Sequence, residues 1–235
     1  MIAARQIAFG RGAAKGYTAK DYVQDGLVVM WDGIENAGWG NHDDTATVWK
    51  DLTENGRDLT LTSHGSWSPL GLVCDGVGYA ARGKILDIPS KDILTVEVVY
   101  SSNMADVGIV AILGKAPSEN RGVFLTQRGG KLCGMSVQSA NLGMKNSIHC
   151  ADEVKSAAFV YSESDMAYAM LNGLEVATGY TFTSYASNYY AVGGRADNTD
   201  VPLPCEIMAI RVHNRALTAE EIAHNYEIDK ARFGI

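Results

Sequence analysis

The end of this 235-residue chain constrains its fold more than any other part: an alternating run, Glu206 to His213, passes through Asn214-Arg215-Ala216-Leu217 into an amphipathic segment from Thr218 to Arg232. The alternation has the period of a strand. Thr218 stands at an N-cap position, and Glu221 three residues on completes a capping box. Glu220 and Glu221 lie at the positive end of the helix dipole, Lys230 and Arg232 at the negative end. A short helix over 218–232 follows. Ile222, Tyr226 and Phe233 recur at intervals of four and seven, a stripe too narrow for a free-standing helix and suited to packing on a larger surface. The helix is therefore expected as an appendage that seals a sheet.

The middle of the chain reads as strands. Leu94, Val96, Val98 and Tyr100 alternate with Thr95, Glu97 and Val99, the pattern of one buried face. Asp165 to Leu171 meets Leu174 to Thr178 across Asn172-Gly173, and Asn-Gly favours a tight hairpin because both residues tolerate positive φ. Further strands are expected at Val107 to Leu113, Gly122 to Thr126, Lys131 to Val137, Ala157 to Tyr161 and Tyr189 to Gly193. With 46% hydrophobic residues, and 25 glycines against five prolines, one sizeable core with many tight turns is accessible. The expected fold is all-β: a two-sheet antiparallel β-sandwich with a short C-terminal helix and an extended N-terminal arm. No run approaches the roughly 18 apolar residues of a membrane span, and the N-terminus lacks an apolar signal-peptide core.

The closing stretch EIMAIRVHNRALTAEEIAHNYEIDKARFG resembles the last strand and helix of concanavalin A-like, laminin-G-type jelly-roll domains. Gly26-Leu27-Val28-Val29-Met30-Trp31-Asp32-Gly33 resembles their opening strand, and Trp49 to Gly56 resembles the W-x-D-L-x-x-N-G turn that follows it. Asp75-Gly76-Val77-Gly78-Tyr79, Leu171-Asn172-Gly173 and Val192-Gly193-Gly194 fall in the same order. The likeness spans residues 25–235, which are expected to form one domain including the helix. It implies a scaffold found in bacterial surface proteins, secreted carbohydrate-active proteins and bacteriophage particles, and a scaffold does not fix a function.

Residues 1–24 read as an arm preceding that domain. Residues 1–20 carry Arg5, Arg11, Lys15 and Lys20 and no acid, so the rest of the chain is more acidic than the total of −7 suggests. Gly10, Gly12, Ala13, Ala14 and Gly16 give this segment little to bury, and both a frayed terminus and an arm docked on a neighbouring subunit fit it. Four basic residues without interleaved aromatics make a weak phosphate-neutralising patch, so nucleic acid is not an expected partner. The cysteines, at 74, 133, 150 and 205, contain no C-x-x-C and are expected as reduced, buried thiols. Reduced thiols favour assembly in a reducing cytoplasm.

Catalytic patterns are missing. Glycosidases of the concanavalin A-like superfamily set paired carboxylates on one strand, as a retaining mechanism requires. Here no E-x-D-x-E or E-x-D-x-x-E occurs, and Thr95 to Tyr100 offers Glu97 alone. There is no G-x-S-x-G, no H-E-x-x-H and no G-K-[ST] phosphate loop. The chain is therefore expected not to be an enzyme, and no cofactor is required.

Two loops carry binding chemistry. Asp32, Asn36, Trp39, His42, Asp43 and Asp44 combine carboxylates, an amide and an aromatic ring, the mixture that sugar recognition uses and that solvated loops also show. Asp197, Asn198 and Asp200 offer hard oxygen ligands compatible with calcium, which related laminin-G-type domains often bind. Together with the resemblance, these features lead to an expected structural or adhesive module of a bacteriophage virion surface, a capsid decoration, head-fibre or tail protein. It would assemble in the host cytoplasm, attach to other virion proteins through Arg5, Arg11, Lys15 and Lys20, form a homo-oligomer and display the sandwich toward glycans. The alternative is a bacterial carbohydrate-binding, lectin-like module at the cell surface or secreted, with or without calcium.

Overall fold

A computed structural model describes residues 16–53, 55–84, 94–102, 108–114, 122–128, 131–135, 148–149, 155–162, 165–171, 174–181, 189–194 and 202–235. Among these, sixteen strands form two antiparallel sheets of eight. One sheet runs β14 (Leu174–Thr181), β13 (Asp165–Leu171), β12 (Lys155–Ser162), β7 (Leu94–Ser101), β16 (Pro204–His213), β5 (Leu72–Asp75), β4 (Gly65–Trp67), with β1 (Leu27–Asp32) also paired to β16. The other runs β11 (Ile148–His149), β10 (Lys131–Met135), β9 (Gly122–Arg128), β8 (Gly108–Gly114), β15 (Tyr189–Val192), β6 (Ala81–Lys84), β3 (Leu59–Leu61), β2 (Val48–Trp49). The sandwich is as the strand pattern predicts, and Leu171 faces Leu174 across the expected hairpin. The turn residues Asn172 and Gly173 lie outside the described residues.

Leu94, Val96, Val98 and Tyr100 enter the core between the sheets, together with Trp31, Trp49, Leu72 and Ile210. Thr95, Glu97 and Val99 are buried as well, because the helix α1 (Ala219–Phe233) lies on the outer face of that sheet. A strand covered on both faces loses the contrast between its faces, which is why β7 and β16 are buried almost throughout.

In β16 the register against β7 shifts between Ile207 and Ala209. This irregularity at Met208 resets the alternation. Cys205, Ile207, Ile210 and Val212 point into the sandwich, whereas Met208 and Ala209 join Val99 and Phe233 beneath the helix. One edge of β16 pairs with β7; along the other, β5 takes Pro204–Ile207 and β1 takes Ala209–His213. Where β5 and β1 meet, the Gly33 N–H donates to the Met208 carbonyl at 2.7 Å. A Cβ on Gly71 would lie 2.5 Å from the Ile207 carbonyl oxygen, and one on Gly33 would overlap Gly71 itself. The seam admits glycine because two backbones touch there.

The Trp49 to Gly56 turn has a plain physical cause. Asp51 accepts hydrogen bonds from the N–H groups of Met30 (3.1 Å), Thr53 (3.0 Å) and Arg57 (3.0 Å), fixing the turn to β1, while Trp49 and Leu52 are buried.

The capping box forms: Thr218 Oγ1 accepts from the Glu221 N–H at 3.3 Å, and Glu221 accepts from the Thr218 N–H at 2.9 Å. The buried face differs from the expected stripe. Ile222, Asn225, Ile228, Asp229 and Phe233 face the sheet, whereas Tyr226 is half-buried with the Lys230 ammonium 5.1 Å from its ring centre. The stripe misleads because two of its true members are polar.

Ile228 packs with Ala19, Tyr22, Met30 and Leu52. Ile228→Ala is expected to lower the unfolding free energy by about 2–5 kcal/mol, and Tyr226→Ala by under about 1 kcal/mol. Urea denaturation at unchanged m-value measures both, and equal losses would restore Tyr226 to the buried face.

Candidate functional site

The loop after β1 is built by its own polar side chains. Asp32 is fully buried; its Oδ1 accepts from the N–H groups of Ile34 (3.0 Å) and Glu35 (3.1 Å) and from the Arg232 guanidinium (2.8 Å). Asn36, also fully buried, closes the loop by a two-point clamp: its Nδ2 donates to the Asp43 carbonyl at 2.9 Å, and its Oδ1 accepts from the Asp43 N–H at 2.8 Å. Glu35 accepts from the Ala19 N–H (2.9 Å), the Gly40 N–H (2.8 Å) and Arg232 (3.0 Å). His42 places one ring nitrogen 2.9 Å from the Gly33 carbonyl and the other 2.9 Å from Asp44.

This framework presents an exposed rim beside a cleft. Trp39 is 38% exposed, with the Lys20 ammonium 5.2 Å from its ring centre. Asp43 turns back to cap Thr45, and Asp44 is exposed. An open cleft of about 490 Å³ is lined by Tyr17, Ile34, Glu35, Gly40, His42 and Arg232, so the loop, the N-terminal segment and the end of α1 share one concavity.

Behind the cleft lies a buried ionic network. Arg211 forks onto Asp229 at 2.8 and 2.9 Å and reaches Glu97 at 3.1 Å. Asp229 also accepts from the Tyr22 hydroxyl (2.8 Å) and Ser156 (2.7 Å), and Glu97 accepts from Asn225 at 2.9 Å. The Tyr22 ring joins this network to the rim, with the Arg211 guanidinium 4.1 Å and the Arg232 guanidinium 5.8 Å from its centre.

The charges settle unequally. Burial pushes the Asp32 carboxyl up from 3.8 to about 6; the pull of Arg232 opposes this, and the negative charge of Glu35 adds to it. One Asp32 oxygen, Oδ2, is buried without a hydrogen-bond partner, which agrees with a carboxyl that holds a proton readily. Burial opposes ionisation of Glu35 too, yet the hydrogen bonds from Gly40, Ala19 and Arg232 outweigh it and lower its pKa. Burial lowers the pKa of His213, the negative charge of Glu97 opposing it, and its Nε2 lies 2.9 Å from the Val23 carbonyl.

Of the expected glycan residues, Asp32 and Asn36 are buried scaffolding, Asp43 is committed to the loop, and Trp39, His42 and Asp44 lie on its exposed side, where His42 pairs with Asp44 and lines the cleft. Asp197, Asn198 and Asp200 lie outside the described residues, as do Arg5, Arg11 and Lys15. Lys20 is exposed over Trp39, and the neighbouring part of the expected arm packs on the domain, with Ala19 and Tyr22 buried. Among the described residues, no group of three or more His, Cys, Asp or Glu side chains is placed to hold a metal ion, and no helix is long and apolar enough to cross a membrane. Sequence reasoning missed Tyr17, Glu35 and Arg232; Glu35 stood within the loop, but only the fold brings Arg232 to it.

No family model matches the sequence, and a search of curated proteins finds no match. Solved structures do match. Trypanosoma rangeli sialidase in complex with sialic acid is similar over 87% of this chain and 33% of its own, at 14% identity and a TM-score of 0.63. The binding domain of botulinum neurotoxin serotype D is similar over 86% of this chain and 52% of its own, at 11% identity and a TM-score of 0.60. That of serotype G covers 77% and 48%, at 11% identity and a TM-score of 0.56. The chain thus spans a third of the sialidase chain and about half of the toxin binding domains. At such identities the likeness is one of fold, a β-sandwich. It corrects one expectation: a sandwich of this shape occurs within sialidase chains, so missing carboxylate motifs are no ground for calling this chain a non-enzyme. The bacteriophage setting finds no support in these structures.

The raised Asp32 pKa gives a signed pH dependence. Between pH 7 and 4 the native carboxyl takes up its proton before the unfolded one does, so acidification adds stability from this group, and that stability is lost as pH rises through about 6. Wild type minus Asp32→Asn, measured by urea denaturation, is expected to shift in favour of the wild type by on the order of 2–3 kcal/mol from pH 7 to 4. A flat difference would refute the assignment.

Proposed function

We propose that this chain is a carbohydrate-binding β-sandwich module whose ligand rests on the rim formed by Trp39, His42 and Asp44 and extends toward the cleft beside Arg232. The exposed Trp39 ring on a loop that is rigidly hydrogen-bonded beneath it carries the reading. A sugar ring offers an apolar C–H face to an indole and hydroxyls to nearby carboxylate, imidazole and backbone groups. A concavity of about 490 Å³ has room for one or two sugar units. The matched folds are compatible with this, since they include toxin binding domains and a sialidase solved with sialic acid.

A glycan array containing neutral and sialylated oligosaccharides, followed by calorimetry on the best hit, tests the reading. Trp39→Ala is expected to weaken binding at least about tenfold, the loss of roughly 1.4 kcal/mol, with the melting temperature unchanged because the ring packs on no core cluster. Binding that survives Trp39→Ala, or a wild type that binds no glycan, would overturn the proposal.

A further inference from the structure

We propose that Cys74 and Cys205 form a redox site: they close a cross-strand disulfide between β5 and β16 on meeting a small-molecule disulfide, and reopen under a reducing thiol. The two are direct partners in the antiparallel ladder. Pro204 has no N–H, its carbonyl accepts from Ser102 at 3.0 Å, and the Asp75 N–H donates to the His64 carbonyl at 3.1 Å. The Pro204/Asp75 pair is therefore unbonded, and by alternation the Cys205/Cys74 pair exchanges the ladder hydrogen bonds. Such pairs hold their Cα atoms about 5.5 Å apart, inside the roughly 4.4–6.8 Å that a disulfide spans. Their Cβ atoms, at the wide end of roughly 4.5–5.5 Å, must close toward about 4 Å, so closure draws the two strands together locally.

Opposed residues point to the same face, and both side chains belong to the core between the sheets. There both thiols are free. The backbone of Gly193 covers them: a Cβ at that position would lie 2.5 Å from the Cys74 sulfur, so any larger residue would press the pair out of place. Both side chains are buried, so the reagent reaches the sulfurs through local opening of the strand ends, beside a cleft of about 380 Å³ lined by Val73, Ser101, Ser102, Pro204 and Glu206.

The chemistry balances as thiol–disulfide exchange. One cysteine gives up its proton, and its thiolate attacks a sulfur of the reagent, breaking the reagent's S–S bond and expelling one small thiolate, which takes a proton. The second cysteine, likewise deprotonated, attacks the protein-bound sulfur of the mixed disulfide and expels the second small thiol. Two electrons leave the cysteine pair and reduce the reagent. The hydrogen bond with Cys74, burial and the nearby Glu206 hold Cys205 protonated well above the usual thiol range, so closure is slower than at an exposed pair.

The test uses the native full chain and oxidised glutathione. After incubation, remaining thiols are alkylated, the chain is digested without reduction and the peptides are mapped by mass. The expected product is one peptide pair joined through Cys74 and Cys205, lighter by two hydrogens than the separate peptides and released by dithiothreitol. The same link is expected in a Cys133→Ser/Cys150→Ser variant. Glutathione adducts on Cys74 or Cys205 without linkage, pairing of either with Cys133 or Cys150, or no reaction while the denatured chain reacts fully, would each overturn the proposal.

Discussion

Arg211 is a fully buried guanidinium at the centre of the sheet, on the strand that pairs with three others, and the rest of the architecture is arranged so that it is never left unpaired. Removing such a charge from water costs several kcal/mol unless partners replace the lost hydration. Asp229 from α1 and Glu97 from β7 bind it directly and the Tyr22 ring of the N-terminal segment lies against it, while Ser156 from β12 and Tyr22 donate to Asp229 and Asn225 from α1 donates to Glu97. The fork onto Asp229 has one geometry, whereas an apolar stripe tolerates sliding. The helix is thus placed by a charge pair and held by Ile222, Ile228 and Phe233 around it.

The constraint extends to the surface. Tyr22 lies against both Arg211 and Arg232, and Arg232 grips Asp32 and Glu35, the two carboxylates that shape the rim loop. Along this seam two guanidiniums meet four carboxylates, Glu97, Asp229, Asp32 and Glu35. An excess of negative charge in a dry region is relieved by protonation, and Asp32, buried with an unpartnered oxygen, is where the strain collects. The cleft wall and the centre of the sheet are therefore one electrostatic unit.

Local signals were legible in the sequence; long-range ones were not. The β7 alternation, the capping box of Thr218 and Glu221 and the hairpin around Asn172-Gly173 each rest on neighbours within a few residues. The fork between Arg211 and Asp229 spans 18 positions and the Tyr22 contact with Asp229 spans 207, beyond any periodicity. Polar residues were the main difficulty. Asp32 and Asn36 look in the sequence like Asp44, a carboxylate or amide in a loop, but burial makes the first two scaffolding and leaves the third at the surface. On α1 the same ambiguity ran the other way: Asn225 and Asp229 stand outside the apolar stripe of Ile222, Tyr226 and Phe233 and are buried, whereas Tyr226 is half-buried.

A sandwich shared at 11–14% identity with toxin and sialidase chains asks little of individual residues. Its core needs apolar volume on alternate positions, and Val, Leu, Ile and Ala exchange there with modest loss. What is particular to this chain lies where that freedom ends. The Asn36–Asp43 clamp, the Glu35 acceptors and the Asn41 side chain donating to the Trp39 carbonyl at 2.9 Å all hold the backbone under one exposed indole. Packing does not require that ring, and a loop meant only to connect β1 to β2 would not need so many bonds. A preordered aromatic surface lowers the entropy lost on binding, and this is the physical reason for placing the proposed glycan site at the rim.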